Sequence, residues 1–236
     1  MCTVSYVNRN ETIIITSNRD ENANRPLADK PKIYQLNGRK VIYPKDPKGG
    51  GTWFAVNDLH TAIVLLNGAK NKHVPKPAYK MSRGLVVLEL ITKANSLNEW
   101  QMIDLSDIEP FTLIMYYQHQ LFQLQWDGNQ KDLAVLDSRL HYIWSSSTLY
   151  PENIREERKQ WFADFMADKG VVESNDLLDF HTNTKPEDKT NGLIINRNQD
   201  TTTKNITQLV LQNNRSTFIH QDLVRNAHFS KTLITV

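Results

Sequence analysis

The chain of 236 residues contains a single cysteine. One cysteine cannot form an internal disulfide bond or a cysteine-based zinc site, so both classes are excluded. Long apolar runs are also missing: the longest, about Thr61–Leu66 and Leu85–Ile91, fall far short of the roughly 20 residues that a membrane-spanning helix needs. No basic and apolar leader precedes the first polar residues. We therefore expect no secretory signal, no membrane span and a cytoplasmic protein.

An excess of charge of one sign is missing too, since 28 basic and 26 acidic residues give a formal net charge of +2. Such a balance does not indicate a nucleic-acid partner. Hydrophobic residues make up 39% of the chain, which is enough for one sizeable core. Because no linker or repeat interrupts the sequence, we predict a single domain over residues 1–236.

Strand-forming segments occur mostly as hairpins, with turn-forming residues between them. The predicted hairpins are Cys2–Val7 with Thr12–Ser17, Ile33–Leu36 with Lys40–Tyr43, Thr52–Val56 with His60–Leu66, and Gln208–Leu211 with Ser216–His220. The remaining predicted strands are Phe111–Tyr117, Leu121–Trp126, Asp132–Leu136, Tyr142–Ser145, Gly192–Ile195 and Leu233–Val236.

Helical patterns are confined to two blocks of the chain. They predict helices at Ser82–Lys93, Ser96–Ile103, Pro151–Lys169 and Ser174–Phe180. The third is the clearest, because Pro151 suits a first turn and Gly170 suits a C-cap. Hairpins and segregated helices together predict an α+β fold with layered antiparallel sheets.

The strongest chemical signal joins Cys2 to the polar segment that follows the first hairpin. Removal of Met1 would leave Cys2 at a free N-terminus, where its own amine can accept the thiol proton. The hairpin places Cys2 opposite residues 17–20. There Arg19 would lower the thiol pKa and Asp20 would orient the protonated amine. A solvated turn is the alternative for this charge run, and the cysteine across the hairpin favours the site.

Other patterns are less specific. The segment Gly49–Gly51 lacks the Gly-Lys-Ser/Thr ending of a phosphate loop. The seven histidines show no metal-binding spacing, so we predict no metal site. The basic stretch Lys70–Lys80 is predicted to be a solvated loop. The alternative is that it lies against the phosphates of an acyl-CoA. The large aromatic residues, such as Trp144, fit a core better than a cofactor box.

Several motifs occur in an order that resembles a known family. They are Met1-Cys2, Ser17-Asn18-Arg19-Asp20-Glu21, Arg25-Pro26, Gly50-Gly51-Thr52-Trp53 and Leu66-Asn67. Together they resemble the NRDE family, the transport and Golgi organisation protein 2-like proteins of the N-terminal-nucleophile (Ntn) hydrolase superfamily. The likeness is specific over residues 1–68 and looser afterwards.

The resemblance implies a four-layer αββα sandwich and a set of site residues. The implied catalytic residues are Cys2 as nucleophile, Arg19 and Asp20 as its activating pair, and Asn67 in an oxyanion hole. The implied substrate-binding residues are Asn18, Glu21, Trp53 and Lys204, the last at a position where the family pattern has arginine.

Two functions are compatible with these residues. The first is a cysteine hydrolase that cleaves a non-peptide amide bond of a small acylated substrate. The alternative is a non-catalytic carrier or trafficking protein for haem or an acyl-lipid, which would use the same pocket. We expect no bound cofactor in either case, with haem as a cargo only.

Overall fold

A computed structural model describes residues 2–198 and 200–234, and within them the strands form two antiparallel sheets. Sheet A contains β1 (Cys2–Arg9), β2 (Thr12–Asn22), β10 (Tyr142–Ser145), β11 (Asn196–Arg197), β12 (Thr201–Gln212), β13 (Arg215–Asp222) and β14 (Ala227–Ile234). Sheet B contains β3 (Lys32–Leu36), β4 (Arg39–Tyr43), β5 (Phe54–Asn57), β6 (Ala62–Asn67), β7 (Phe111–Tyr117), β8 (Gln120–Trp126) and β9 (Lys131–Leu136).

The strand order differs between the two sheets. Sheet B is a meander in which the strands follow one another from β3 to β9. Sheet A has the order β10-β1-β2-β12-β13-β14, with β11 paired to β12. The N-terminal hairpin therefore lies inside sheet A, flanked by strands from the second half of the chain.

The two sheets pack face to face around the main core, to which their strands contribute inward-pointing residues. The rings of Phe54 from sheet B and Phe218 from sheet A meet edge to face at 5.2 Å. Two helices, α1 (Arg83–Ile91) and α2 (Ser96–Met102), cover sheet B. Two others, α3 (Glu152–Lys169) and α4 (Ser174–Asn183), cover sheet A. The predicted four-layer αββα sandwich is confirmed.

The helix ends follow the signals in the sequence. The Ser82 hydroxyl accepts from the Gly84 N–H at 3.3 Å, and the Asn95 side chain accepts from the Asn98 N–H at 2.9 Å. Both contacts satisfy backbone donors that a helix start leaves free. Gly170 ends α3 with a φ of +65°, a conformation that favours glycine. Within the described residues no helix combines the length and the apolar character needed to cross a membrane.

Two predicted strands need correction. Residues Gly192–Ile195 do not form a strand, because the Gly192 and Leu193 N–H groups donate to carbonyls of residues 188 and 184 in turns. The short strand is instead β11, just after this segment. The C-terminal strand β14 starts six residues before Leu233, and the last two residues of the predicted segment lie outside the described residues.

The polar segment after the first hairpin also differs from its expected form. The polar cluster Ser17–Glu21 is predicted to end the hairpin as a turn, but residues 18–22 continue β2 to Asn22. Their backbone pairs with residues 201–206 of β12, a pairing between segments far apart in the chain. Local turn propensity is thus overridden by a neighbouring strand.

The glycine-rich loop packs directly on the start of α1. A Cβ atom built on Gly51 would lie 2.2 Å from the carbonyl carbon of Gly84, and one built on Gly84 would lie 2.8 Å from the backbone N and O of Thr52. The Thr52 N–H also donates to the Gly84 carbonyl at 3.2 Å. Only glycine allows the two backbones to approach this closely.

We predict that Gly84→Ala lowers the free energy of unfolding by about 1–3 kcal/mol, because the new methyl group meets backbone that cannot move aside. Urea titration would measure the change. Glu89→Ala on the same helix is the matched control and should change stability by less than about 0.5 kcal/mol. If the contact relaxed freely, alanine would instead stabilise the helix by up to about 1 kcal/mol, and that result would contradict the prediction.

Candidate active site

The first hairpin brings the single cysteine beside an arginine. Cys2 pairs directly with Arg19 in the register of β1 and β2, so both side chains leave the same face of sheet A. That face is the inner one, and relative exposure is only 2% for Cys2 and 3% for Arg19. The predicted proximity of these two residues is therefore present in the structure.

A small cavity adjoins the two side chains. Its volume is about 110 Å³, and its lining includes Cys2, Arg19, Glu21, Asp46, Trp53 and Asn67. The first turn of α1 and the glycine-rich loop complete the wall. Besides Cys2, the predicted site residues Arg19, Glu21, Trp53 and Asn67 thus meet at this cavity. The other three, Asn18, Asp20 and Lys204, are not part of its lining.

Four charged side chains form a closed cluster at the cavity. The Arg19 guanidinium lies 3.2 Å from Glu21 and 3.6 Å from Asp46, and the Arg25 guanidinium lies 3.5 Å from Glu21 and 2.5 Å from Asp46. Burial alone would raise the pKa of both carboxyls, but the neighbouring positive charges hold each pKa below its ordinary value. The cavity therefore presents two ionised carboxylates and two guanidiniums.

Arg19 also stacks on an indole ring. Its guanidinium carbon lies 4.4 Å from the centroid of Trp53, a cation–π contact. Among the described residues, the Arg19 Nη1 and the Trp53 Nε1 are buried donors without a hydrogen-bond partner. Buried donors are rarely left unpaired, so these two N–H groups are available to water or to a ligand.

The pKa of the Cys2 thiol differs from the expectation. Burial raises the pKa of Cys2, and the negative charge of Asp20 raises it further, while Arg19 and the Ser17 hydroxyl lower it. Burial is the largest of these influences. Arg19 thus lowers the thiol pKa as predicted, but burial outweighs it and the net pKa of Cys2 is raised.

Asp20 lies on the other face of β2, because neighbouring residues of a strand point to opposite faces. Its buried carboxylate accepts hydrogen bonds from the Tyr150 hydroxyl at 2.7 Å and the Thr203 hydroxyl at 2.6 Å. The prediction that thiol, Arg19 and Asp20 meet in one pocket is thus correct for Arg19 and wrong for Asp20. Burial raises the pKa of Asp20, against the opposing charge of Arg158.

Arg158 is a buried residue that sequence reasoning missed. Its guanidinium donates to the Thr3 hydroxyl at 2.5 Å and to the Gly192 carbonyl at 2.6 Å, and it stacks on the Tyr150 ring at 3.6 Å. Thr3 follows Cys2 directly, so Arg158 fixes the strand that carries the thiol. In the sequence it is one of many charged residues on a polar helix, and no pattern distinguishes it.

Asn18 also lies on the outer face of sheet A. Its Oδ1 atom is 2.7 Å from the His181 Nδ1, and the Nε2 of the same ring is 2.7 Å from the Ser5 hydroxyl. All three side chains are fully buried and none lines the cavity. The arrangement joins α4 to the sheet, and it does not place Asn18 against a substrate.

Lys204 lies beside the cavity but outside its lining. It occupies a register shift in β12 between Thr203 and Asn205. Its ammonium group donates to the carbonyls of Ala23 at 2.8 Å and Arg25 at 2.7 Å. These bonds hold the segment that carries the Arg25 guanidinium, so Lys204 acts on the site through its neighbour.

Across the described ranges, no group of three or more His, Cys, Asp or Glu side chains is arranged to hold a metal ion. The expectation that the protein has no cofactor stays a prediction.

The fold has counterparts among solved structures. The N-acylethanolamine-hydrolyzing acid amidase ortholog of Caenorhabditis elegans is similar with a TM-score of 0.60 and 9% identity, over 88% of this chain and 92% of that chain. Two variants of the conjugated bile acid hydrolase from Clostridium perfringens match with TM-scores of 0.51 and 0.52 and 8% identity, each over 98% of this chain and 92% of the other. These likenesses define the fold as that of the Ntn hydrolases.

The family is established by a separate match. The family model described as Transport and Golgi organisation 2 matches residues 1–234, and the chain belongs to this family. No curated protein matches the chain.

The first prediction from the site concerns the thiol. For the chain that starts at Met1, iodoacetamide labelling against pH should show a midpoint above that of a free thiol, which is roughly 8.5. Arg19→Ala should raise the midpoint further, since Arg19 favours the thiolate. Arg139→Ala removes an exposed guanidinium at another place and is the matched control. A wild-type midpoint below 8.5 would contradict the raised pKa.

The second prediction concerns stability at acid pH. Burial lowers the pKa of His181 to about 3, whereas an unfolded histidine titrates near 6.5. The unfolded state then binds more protons below pH 6.5, so stability falls as pH falls through this window. His181 should account for a loss of about 2 kcal/mol between pH 7 and pH 5, measured by urea unfolding. His181→Gln should remove this part of the loss, and an NMR titration midpoint near 6.5 in the wild type would overturn the assignment.

Proposed function

We propose that the protein is a cysteine hydrolase that cleaves a non-peptide amide bond of a small acylated substrate. The observation that carries the proposal is the direct pairing of Cys2 with Arg19 at the edge of a polar cavity. The Ntn-hydrolase fold supports it, and the fold alone does not assign a reaction.

Removal of Met1 is the step that would activate the thiol. The exposed amine of Cys2 would accept the thiol proton, and the sulfur would attack the substrate carbonyl to give a tetrahedral oxyanion. Collapse of this intermediate would break the C–N bond as the Cys2 ammonium returns its proton to the leaving nitrogen, which would release the amine product and leave a thioester on Cys2. Attack by water would then release the acid and restore the thiol.

The cavity contains groups suited to the oxyanion. Arg19 Nη1 and Trp53 Nε1 are donors without a partner among the described residues, and Asn67 lines the same wall. Preorganised donors at the developing negative charge are the usual means of stabilising this intermediate. Glu21 and Asp46 hold the Arg19 guanidinium in place through their ion pairs. Asp20 stays on the other face of β2, where its charge acts on the thiol through the sheet.

The carrier function is the second candidate, and one observation favours it. The thiol is buried and its pKa is raised, so Cys2 is a weak nucleophile in the chain that retains Met1. A carrier of haem or an acyl-lipid needs a pocket and not a reactive sulfur. The state of the N-terminus therefore separates the two candidates.

We predict that Cys2→Ala abolishes amide turnover by several orders of magnitude while the fold is kept. The assay offers N-acyl amides, acyl-CoAs and haem to the wild type and to this variant, with the intact mass of the wild type measured first. Ser96→Ala, which removes a different buried polar atom, is a control for loss of fold. Turnover by the wild type alone supports the hydrolase. Equal binding by both proteins without turnover, or a retained Met1, would favour the carrier.

A further inference from the structure

A second and larger cleft is lined in part by β10 and the two residues that follow it. Its volume is about 870 Å³, against about 110 Å³ for the cavity at Cys2. Sites for small molecules usually measure roughly 300–1,000 Å³. The Cys2 cavity has room for a reacting group only, whereas the cleft has room for the body of a ligand.

One residue joins the two spaces. The Ser146 N–H donates to the Cys2 carbonyl at 3.0 Å, and the Ser146 hydroxyl donates to the Asn67 carbonyl at 2.6 Å. Cys2 and Asn67 line the small cavity, and Ser146 lines the large cleft. A residue in the wall of the cleft is thus hydrogen-bonded to two residues that line the cavity at the thiol.

The cleft has an apolar, aromatic floor. The rings of Tyr142 and Trp144 stack with centroids 5.4 Å apart and planes at 20°. The Trp144 Nε1 donates to Gln123 at 2.9 Å, which fixes the indole. Phe162 and Met166 of α3 face the same space. Such a surface suits a hydrocarbon chain or a flat ring system.

The rim of the cleft is positively charged. Lys70, Arg155 and Lys159 line it, with Asp132 as the one carboxylate of the lining. Lys159 pairs with a glutamate, but neither Lys70 nor Arg155 has an ion-pair partner in the part of the chain that the structure describes. The Arg155 Nε is a buried donor without a hydrogen-bond partner there. A guanidinium with free donors is suited to a carboxylate or a similar anion.

We infer that this cleft binds an amphipathic ligand, with the apolar body on the Tyr142 and Trp144 rings and an anionic end at Arg155. The inference rests on the proposed function only where it takes this ligand to be the acylated substrate. Binding in the cleft does not require the sulfur. It can therefore be tested separately from catalysis.

The test of the apolar part uses calorimetric titration with decanoate on the full chain. Ala163→Trp places a large ring at the cleft from an exposed position on α3 and should weaken binding at least about tenfold. Ala167→Trp adds the same ring to an exposed position of the same helix outside the lining, and it should leave the affinity within about twofold. Equal affinities of the two variants would overturn the site.

The charged part is tested in the same titration. Arg155→Glu should weaken decanoate binding at least about tenfold, because the anionic end would meet a like charge. Lys32→Glu makes the same charge change at an exposed position of β3 and should have little effect. Decan-1-ol should bind more weakly than decanoate, and equal binding of the two would overturn the anionic assignment. Cys2→Ala should bind decanoate like the wild type, so a failure of the proposed catalysis would leave this result unchanged.

Discussion

The alternation of side chains along β2 is the constraint on which the site depends. Because successive residues of a strand point to opposite faces, the polar motif Asn18–Glu21 is divided between the two sides of sheet A. Arg19 and Glu21 face the cavity, while Asn18 and Asp20 face the helices. A shift of the register by one residue would exchange the two sets.

Each half of the motif is stabilised by its own surroundings. On the inner face, Arg19 is buried between two carboxylates and the Trp53 ring, which compensates for its loss of solvent. On the outer face, Asp20 accepts two hydroxyl donors and feels the charge of Arg158. Both ions are held by partners from distant parts of the chain, so the site forms only when the two sheets and α3 are assembled.

Much of this could be predicted from the sequence, and the missing part has a physical cause. Hairpin turns and helix caps are local signals, and they located most elements and the neighbours Cys2 and Arg19. The face on which Asp20 lies depends on β2 continuing past Ser17, which β12 imposes. The buried position of Arg158 and the pairing of Asp46 with Arg25 are set by tertiary packing. No short-range pattern encodes such contacts.

The thiol is the point at which stability and reactivity oppose each other. Burial in the core favours the neutral thiol, and the adjacent guanidinium of Arg19 favours the thiolate, but burial is the larger influence. An amine on Cys2 itself would place a base beside the sulfur, so no side chain from a distant part of the chain would be needed as the base. Under the proposed function, the same fold would hold an inert cysteine while the Met1–Cys2 peptide bond is intact and a nucleophile once that bond is cleaved.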